Sequence, residues 1–249
     1  MENSVGVVRK TILLLGYLSE RNEPSGISEM AKALEMPKAT VHRILSALCE
    51  DNVVLRTEDG QYKIGPTVLL WGSGYHFASG IVEIARPWLR KLRDESKETV
   101  HLSVYEHGTA QYAERLDSPQ TVVLRWSKLG TTLPLYCTAA GRAILAAMPQ
   151  AEIDSYFEKT ELKARTEMTT VSPSKLKEML LRFRAQGYAE ENRENEENIR
   201  CVGAAILNRK GYPVAAISLT APSFRFSDED SAKFGKVIAA MAREISACL

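Results

Sequence analysis

Several features are scarce in this sequence of 249 residues, and each scarcity excludes a class of protein. The four cysteines are scattered without a C-x-x-C pair, which argues against a disulfide framework and against a zinc site. The longest apolar runs, such as AAISLTA, are far shorter than the roughly 18 residues that a membrane span needs. No strand is followed by G-x-G-x-x-G, and G-x-x-x-x-G-K-[ST] is absent. We therefore expect no metal, no cofactor and no membrane association.

An excess of one charge is also missing. Lys and Arg number 32 against 31 Asp and Glu, so the formal net charge is +1. This balance argues against a general polyanion-binding protein, but it leaves room for a small DNA-binding module. The first ten residues, MENSVGVVRK, lack the pattern of a signal or transit peptide. Together with the scattered cysteines, this predicts a cytoplasmic protein with reduced thiols.

The first 65 residues carry the patterns of three helices and a hairpin. Apolar residues at helical spacing in SVGVVRKTILLLGYLSE and ISEMAKALEM predict the first two helices. Pro37 opens the third, a position that a helix tolerates well. Two β-prone runs then flank Glu58-Asp59-Gly60, and Asp-Gly is a strong hairpin signal. This order predicts a winged helix-turn-helix domain over residues 1–65.

The third helix has an apolar stripe (Val41, Ile44, Leu45 and Leu48) and an outward face that suits DNA. Arg43 has the geometry to grip guanine, Thr40 to reach a base or phosphate, and Lys38 to neutralise a phosphate. The candidate DNA contacts are Lys38, Thr40, His42, Arg43, Ser28 and Lys63.

The alternative for this helix is an ordinary solvated face. Residues 1–65 hold eight Lys and Arg against nine Asp and Glu, a net charge of −1 (8 − 9), whereas DNA-binding domains are usually basic. However, no acid lies between Glu35 and Glu50, so positive charge is concentrated where the helix would dock. The preceding helices and the hairpin favour the DNA-binding interpretation.

Gly65-Pro66 starts a segment of helical pattern that glycines and Pro87 interrupt, so we predict several helical pieces. The first is a linker helix over residues 66–80, leading into a second domain over residues 81–249. The linker is too rich in apolar side chains for an isolated helix, and packing against a partner chain would bury them. These side chains are Val68, Leu69, Leu70, Trp71, Tyr75 and Phe77.

The second domain mixes strands and helices. TVHLSVYEHG alternates strictly, QYAERL and TVVLRW are further strand candidates, and CVGAAILN and VAAISLTA form an apolar pair. Helices are predicted near 138–147 and 150–157, after Ser172-Pro173, and after Ser227 at the end of the chain. This order predicts an α+β domain around a largely antiparallel sheet.

The helix after Thr138 is a candidate anion site. Thr138 caps it, which leaves the amides of Ala139, Ala140 and Gly141 free, and free amides at a helix start favour an anion. The alternative is a plain N-cap with alanines selected for tight packing. The sequence around it, L-G-x-x-L-P-L-x-x-T-A-x-G-R-A-x-L-A, resembles a core motif of the IclR family of bacterial transcriptional regulators.

Further segments carry the same resemblance in the same order along the chain. They are A-T-V-H-R-I-L-S-A-L in the third helix, E-N-E-E-N-I-R-C-V-G-A-A-I-L-N-R-K-G, and A-A-I-S-L-T-A-P. GYAEENRENEENIRC and SFRFSDED are most similar to the keto-deoxygluconate-type repressors of this family.

The resemblance implies a winged helix-turn-helix, a linker helix and a GAF-like α/β effector domain. It also implies a repressor of a catabolic operon that binds double-stranded operator DNA as a dimer or a dimer of dimers. The effector would lie between the sheet and the helix start, where Ala139 and Ala140 contribute amides. The other effector-binding residues implied are Glu191, Cys201, Ser218, Thr220, Leu133 and Ile199.

Two positions depart from some relatives. Glu191 is one methylene longer than the aspartate found there, and Arg125 stands where they have an apolar wall residue. If Arg125 points inward, a carboxylate effector gains a guanidinium partner, and Glu191 suits hydroxyl groups on the same ligand, as in a sugar acid. Strand alternation cannot tell which face of VVLRW is inside, so the direction of Arg125 stays open.

Other interpretations remain open on sequence alone. The protein could activate an aromatic-acid pathway, or it could be an enzyme using Cys137 or Cys201 with a histidine, although an enzyme has no need of the first 65 residues. His101 and His107 lack a metal-binding motif and are expected to be isolated polar residues. The acidic run from Glu190 to Glu197 is predicted to be a solvated loop, with only Glu191 as a site candidate.

Overall fold

The computed structural model describes residues 2–21, 23–72, 80–106, 108–120 and 127–249, with side chains from residue 6 onward. The chain divides into two compact units, Met1–Ser79 and Gly80–Leu249. Within the described ranges, no helix is both long enough and apolar enough to cross a membrane.

The N-terminal unit is a winged helix-turn-helix, as predicted. Its elements are α1 (Glu2–Ser19), α2 (Ile27–Ala33), α3 (Lys38–Glu50), β1 (Val54–Arg56) and β2 (Tyr62–Ile64). The two strands pair antiparallel, and Gly60 in the turn between them has a φ of +80°, which a glycine adopts without strain. A further helix, α4, begins at residue 67, and its described part ends at residue 72.

The apolar stripe of α3 holds this unit together. Val41, Ile44 and Leu45 are buried against Leu14 of α1 and Met30 of α2, as the spacing predicts. Their burial leaves the opposite face of α3 to solvent.

The C-terminal unit is an α+β fold. Its elements are α5 (Ile81–Ser96), β3 (Thr99–Glu106), β4 (Thr109–Leu116), β5 (Thr132–Leu133), α6 (Ala139–Ala147), α7 (Gln150–Lys159), α8 (Pro173–Gln186), β6 (Ala189–Asn192), β7 (Ile199–Leu207), β8 (Pro213–Pro222) and α9 (Asp228–Ala247). Among the described residues the strands form one antiparallel sheet in the order β5-β4-β3-β8-β7-β6, which confirms the predicted fold class. The predicted strand TVVLRW, residues 121–126, lies outside the described residues.

Pro87 does not interrupt a helix, although the sequence pattern predicted that it would. It lies inside α5, which runs without a break from Ile81 to Ser96. Proline removes one helical hydrogen bond, but Val82, Ala85 and Leu89 are buried on one side of this helix, and their packing offsets that loss.

The two faces of the sheet differ in polarity, because successive side chains of a strand point to opposite sides. One face is apolar and packs in the same cluster as α5 and α9; it includes Leu102, Val202 and Leu219. The other face packs against α6 and α8. This second face also carries polar side chains, of which Cys201, Ser218 and Thr220 lie under the start of α6. Cys201 is half-buried, and the others are buried (Thr99, His101, Ser103, Ser218 and Thr220).

Candidate functional site

The start of α6 faces the polar part of the sheet. Thr138 caps the helix: its Oγ1 accepts a hydrogen bond from the Gly141 amide at 3.1 Å and donates one to the Pro134 carbonyl at 2.6 Å. Within the described part of the chain, the amides of Ala139 and Ala140 have no acceptor. Two free amides at a helix start give the site a positive potential without a charged side chain.

Gly203 of β7 allows this close approach of helix and sheet. A Cβ at Gly203 would lie 3.0 Å from the Ala140 nitrogen and 3.1 Å from the Ala139 carbonyl carbon. Contacts that short are tighter than normal packing, so a side chain here would push the helix start away from the strand. The absence of a side chain at 203 therefore keeps the free amides over the polar residues of the sheet.

A small closed cavity, which we call the α6 cavity, lies between the helix start, the sheet and the loop 193–198. Its volume is ≈ 20 Å³, enough for about one water molecule. Seven of the nine effector-binding residues inferred from the sequence line it: Ala139, Ala140, Glu191, Ile199, Cys201, Ser218 and Thr220. Sequence reasoning missed Tyr112, Ser127, Thr138, Asn195 and Glu196, which also line it.

Of the other two inferred residues, Leu133 is not in this lining. It is buried in β5 within the apolar cluster that includes Ala110 and Leu135. Arg125 lies outside the described residues, as does His107.

Three buried polar atoms on this face of the sheet have no hydrogen-bond partner among the described residues. They are Nε2 of His101, Oγ of Ser103 and the Oε2 atom of Glu191. Unpaired buried polar groups are rare because each one loses its hydrogen bonds to water without replacement. The face of the sheet toward α6 therefore has hydrogen-bonding capacity that the described side chains do not use.

Glu191 is poised between two protonation states. Its Oε1 accepts hydrogen bonds from the amides of Glu194 at 2.5 Å and Asn195 at 3.1 Å. Burial nevertheless raises the pKa of this carboxyl to about 7, and the two amide hydrogen bonds oppose that shift only in part. Near neutral pH, the side chain can therefore present either an acid O–H or a carboxylate to a ligand.

His101 was expected to be an isolated polar residue, but it lies beside the cavity. Its Nδ1 is 3.4 Å from Oγ1 of Thr220, and its ring centroid is 5.1 Å from that of Tyr112. Burial, with a smaller contribution from the charge of Arg115, lowers the pKa of His101 to about 3. The imidazole is therefore neutral and offers one donor and one acceptor.

Cys137 and Cys201 lack the chemistry of a nucleophile. Burial raises the pKa of Cys137 to about 12 and that of Cys201 well above its usual value. A catalytic cysteine reacts as a thiolate, so both thiols are in the unreactive form at neutral pH. This argues against the cysteine-dependent enzyme left open by the sequence.

An internal ion pair holds the loop that covers the cavity. Arg142 of α6 is fully buried, and its guanidinium makes two hydrogen bonds of 2.5 and 2.6 Å to the carboxylate of Glu194. It also donates to the carbonyls of Tyr136 at 2.7 Å and Glu190 at 3.1 Å. Glu194 in turn accepts from the Thr170 amide at 2.9 Å.

The acidic run is thus not the solvated loop that the sequence predicted. Glu194 is 6% exposed and paired with Arg142, and Glu196 lines the cavity. The prediction of a solvated loop was based on the many acidic residues of the run. It was wrong because Glu194 pairs with Arg142 on α6, which is 52 residues away in the sequence.

The candidate DNA-contacting residues lie on the surface of the N-terminal unit. Lys38, His42 and Arg43 of α3 are exposed and Thr40 is half-buried, while Ser28 of α2 and Lys63 of β2 are exposed. From residue 38 to residue 49, α3 contains no acid, so its outward face is positive. A helix with these properties suits the major groove.

Comparisons with known proteins agree on one family. Residues 75–247 match the family described as "Bacterial transcriptional regulator IclR C-terminal", and residues 7–57 match the "IclR helix-turn-helix domain". The chain is 31% identical over 236 residues to the transcriptional repressor IclR of Escherichia coli, covering 94% of this chain and 86% of that protein. It is 32% identical over 247 residues to the regulator KdgR of Escherichia coli, covering 98% and 93%.

Solved structures show the same fold. The IclR of Thermotoga maritima superimposes with a TM-score of 0.84 at 31% identity, covering 98% of this chain and 99% of that chain. An IclR homolog from Microbacterium hydrocarbonoxydans, in complex with 4-hydroxybenzoate, superimposes with a TM-score of 0.80 at 18% identity, covering 98% and 100%.

Proposed function

Because this chain belongs to the IclR family of bacterial transcriptional regulators, we propose that it represses a catabolic operon in response to a small carboxylate metabolite bound at the α6 cavity. The chain is a DNA-binding regulator with an effector domain, as its family and relatives show. The observation that supports the site is the set of unpaired buried polar atoms beneath the free amides of α6.

The lining sets the chemistry of the effector. The carboxylate lies at the amides of Ala139 and Ala140, where the helix start favours an anion. Hydroxyl or oxo groups on the same ligand meet Ser218 and Thr220 on the floor, and Glu191 at the side. Arg125 adds a guanidinium partner if it points inward. A hydroxylated acid, such as a sugar acid, makes use of all these groups.

The closed state of the cavity sets a condition on binding. A volume of ≈ 20 Å³ does not admit a metabolite, so the covering loop 193–198 has to move for the ligand to enter. A ligand that binds the opened arrangement more tightly shifts the population toward it. We propose that this shift alters the affinity of the protein for its operator.

In this proposal three segments of the chain have separate roles. Residues 1–65 bind DNA, residues 66–80 form a linker helix, and residues 81–249 bind the effector. The division of the chain at Ser79 and Gly80 supports this arrangement, and so does the span of each matched family. The DNA contacts are Lys38, Thr40, His42, Arg43, Ser28 and Lys63.

Replacing Arg43 by alanine tests the DNA-binding part. We expect operator affinity to fall by a factor of about 5 to about 150 for each bound domain, because a bidentate arginine contact to a base is worth about 1–3 kcal/mol. Fluorescence anisotropy on promoter DNA next to the protein's own gene, repeated over a range of salt concentrations, measures the change.

The matched control is Arg209→Ala, which removes an exposed arginine from the other unit. It should leave affinity within about twofold, the range expected of a substitution that breaks no contact. Equal binding by wild type and Arg43→Ala would remove α3 from the operator interface. Wild-type binding no stronger than to unrelated DNA would contradict the repressor assignment itself.

We further propose that the chain works as a homo-oligomer, a dimer or a dimer of dimers. In the N-terminal unit, Val8 and Ile12 of α1 are 60% and 63% exposed, and Leu69 and Trp71 of α4 are 75% and 56% exposed. Monomeric proteins rarely leave so many large apolar side chains in water. The net charge of −1 over residues 1–65 also means that one domain binds DNA weakly, so linked domains are needed for useful affinity.

The double substitution Ile12→Glu with Trp71→Ser is expected to dissociate the oligomer into monomers. It places a charge and a hydroxyl where the proposed interface is apolar, and buried unpaired charges are strongly unfavourable. Light scattering coupled to gel filtration measures the mass. The control Leu181→Glu with Met168→Ser changes exposed apolar residues of the other unit and should keep the wild-type mass. An unchanged mass in the α1/α4 variant would contradict the interface.

A further inference from the structure

The C-terminal unit contains a second cavity that is far larger than the α6 cavity and shares no lining residue with it. Its volume is ≈ 600 Å³, within the range of about 300–1,000 Å³ that is usual for small-molecule sites. It opens between the C-terminal end of α6, the end of α8, the β7–β8 turn and α9. We call it the α8/α9 pocket.

The wall of the α8/α9 pocket is mainly apolar. Short side chains leave the space open, and larger ones form its sides, among them Phe183, Tyr188 and Met148. Tyr188 is buried, and its ring is fixed against Gly235, where an added Cβ would lie 2.3 Å from the ring. This wall is therefore preformed and does not depend on a ligand for its shape.

The charged residues that line the pocket are all positive, and the nearby Glu152 carboxylate accepts a hydrogen bond from the lining residue Tyr212. The lining includes Arg184, Lys210 and Arg243 and, among the described residues, no aspartate or glutamate. Arg184 is already occupied, since it donates to the carbonyls of Ala146 at 2.6 Å and of Met148. Lys210 and Arg243 differ from it, because neither has a carboxylate within ion-pair distance in the described part of the chain.

Arg243 also reaches over the edge of the pocket. Its Nη1 lies 3.8 Å from the point where a Cβ at Gly187 would be, so the guanidinium crosses the glycine that ends α8. That distance is an ordinary van der Waals contact, and it is the φ of +82° that favours glycine at residue 187. The rim thus brings two unpaired cations to an apolar cavity.

We propose that the α8/α9 pocket is a second ligand site, separate from the effector cavity, for an apolar anion such as a medium-chain or aromatic carboxylate or sulfonate. The hydrocarbon part fills the wall formed by Phe183, Tyr188 and the short side chains, where it is removed from water. The anionic group lies at the rim and accepts hydrogen bonds from Lys210 and Arg243. Because the two cavities share no lining residue, binding here does not require a ligand at the α6 cavity.

The probe for this site is 8-anilinonaphthalene-1-sulfonate, an aromatic anion that fluoresces when it leaves water. Titration of the full-length wild type is expected to show one saturable component that octanoate displaces, whereas octanamide and acetate do not. Octanamide lacks the charge and acetate lacks the apolar chain. A site for amphipathic anions is supported only if neither compound displaces the dye.

Two variants locate the dye. Lys210→Gln with Arg243→Gln is expected to weaken the saturable component at least about tenfold, because it removes both charged donors. Its matched control, Arg209→Gln with Lys236→Gln, removes the same charge from the same turn and the same helix but outside the pocket, and should bind as wild type does. Ala147→Trp fills the pocket and is expected to abolish the component at an unchanged wild-type mass.

If both double variants weakened dye binding equally, the loss would come from the lower net charge of the protein and not from the pocket. That result would overturn the proposal. So would full dye binding by Ala147→Trp, or a wild type that shows only non-saturable dye uptake. A change of oligomeric mass in Ala147→Trp would assign the pocket to a second copy of the chain instead of a small anion. If Ala147→Trp does not fold, the comparison of Lys210→Gln with Arg243→Gln against its matched control still tests the proposal.

Discussion

Replacement of Arg142 by alanine is expected to lower the free energy of unfolding of the C-terminal unit by about 3–5 kcal/mol. The guanidinium is 1% exposed and the Glu194 carboxylate 9%, and the two share a pair of short hydrogen bonds. Without Arg142, the carboxylate stays in a place that water barely reaches, with no opposite charge to compensate it. The carbonyls of Tyr136 and Glu190 lose their donor as well.

Urea unfolding followed by circular dichroism measures this effect, and two further variants define its origin. Arg93→Ala breaks an exposed pair with Asp94, so it should cost at most about 1 kcal/mol. The double variant Arg142→Met with Glu194→Leu should recover a large part of the loss, since it removes both charges and keeps the volume. An Arg142→Ala protein as stable as Arg93→Ala would show that the buried pair does not hold the loop.

Arg142→Ala should also affect the effector site. Arg142 would not touch the effector, but it holds in place residues that line the cavity. Arg142 does not line the α6 cavity, but Glu191 and Asn195 lie on the segment that its ion pair ties to α6. Releasing that segment leaves the Glu191 carboxyl without the amides of Glu194 and Asn195 in fixed positions. Arg142 is therefore a positioning residue, although it lies inside the sequence motif that revealed the family.

Local patterns predicted much of the fold because their causes are local. The stripe of Val41, Ile44 and Leu45 follows from helical spacing, and the wing follows from Asp59-Gly60, where the glycine takes the required positive φ. The Ser227 cap at the start of α9 is equally local, since its partner Asp230 is three residues away. Such signals need no knowledge of the rest of the chain.

The parts of the site that the sequence did not predict depend on distant contacts. Glu194 pairs with a residue 52 positions away, and nothing in the acidic run itself shows that it is buried. His101 alternates with apolar neighbours on β3, which usually marks a face in water, but here α6 covers that face. Alternation shows that a strand has two faces, and only the packing of helices decides how many are buried.

Effector binding is expected to weaken as pH rises above about 7, and to lose this dependence in Glu191→Gln. Below that pH the Glu191 carboxyl is protonated, so the cavity holds no second negative charge beside the effector carboxylate. Above it, the side chain is ionised and repels the anion. Because the bound anion raises the pKa of Glu191 further, binding takes up a proton, and the dissociation constant should increase by up to about tenfold per pH unit.

Isothermal titration calorimetry between pH 6 and pH 9 measures this dependence, with the tightest binder from a panel of sugar acids and aromatic acids. Across that range the wild type should lose up to about 100-fold in affinity, and Glu191→Gln should vary by less than about threefold. Arg125→Ala, titrated in parallel, should weaken binding at every pH by a constant factor if that guanidinium contacts the carboxylate. Equal affinities of Arg125→Ala and wild type would remove Arg125 from the site.

A titration with the amide derivative of the same acid, which is uncharged, is the control. It distinguishes repulsion between Glu191 and the effector carboxylate from a general effect of pH on the protein. The amide has no negative charge for an ionised Glu191 to repel, so its affinity should not follow the decline seen with the acid. His101 does not titrate in this range, because burial lowers its pKa to about 3, and Cys137 stays protonated because burial raises its pKa to about 12. A decline that persists in Glu191→Gln therefore has to come from another group, and it would place the effector carboxylate away from Glu191 and the start of α6.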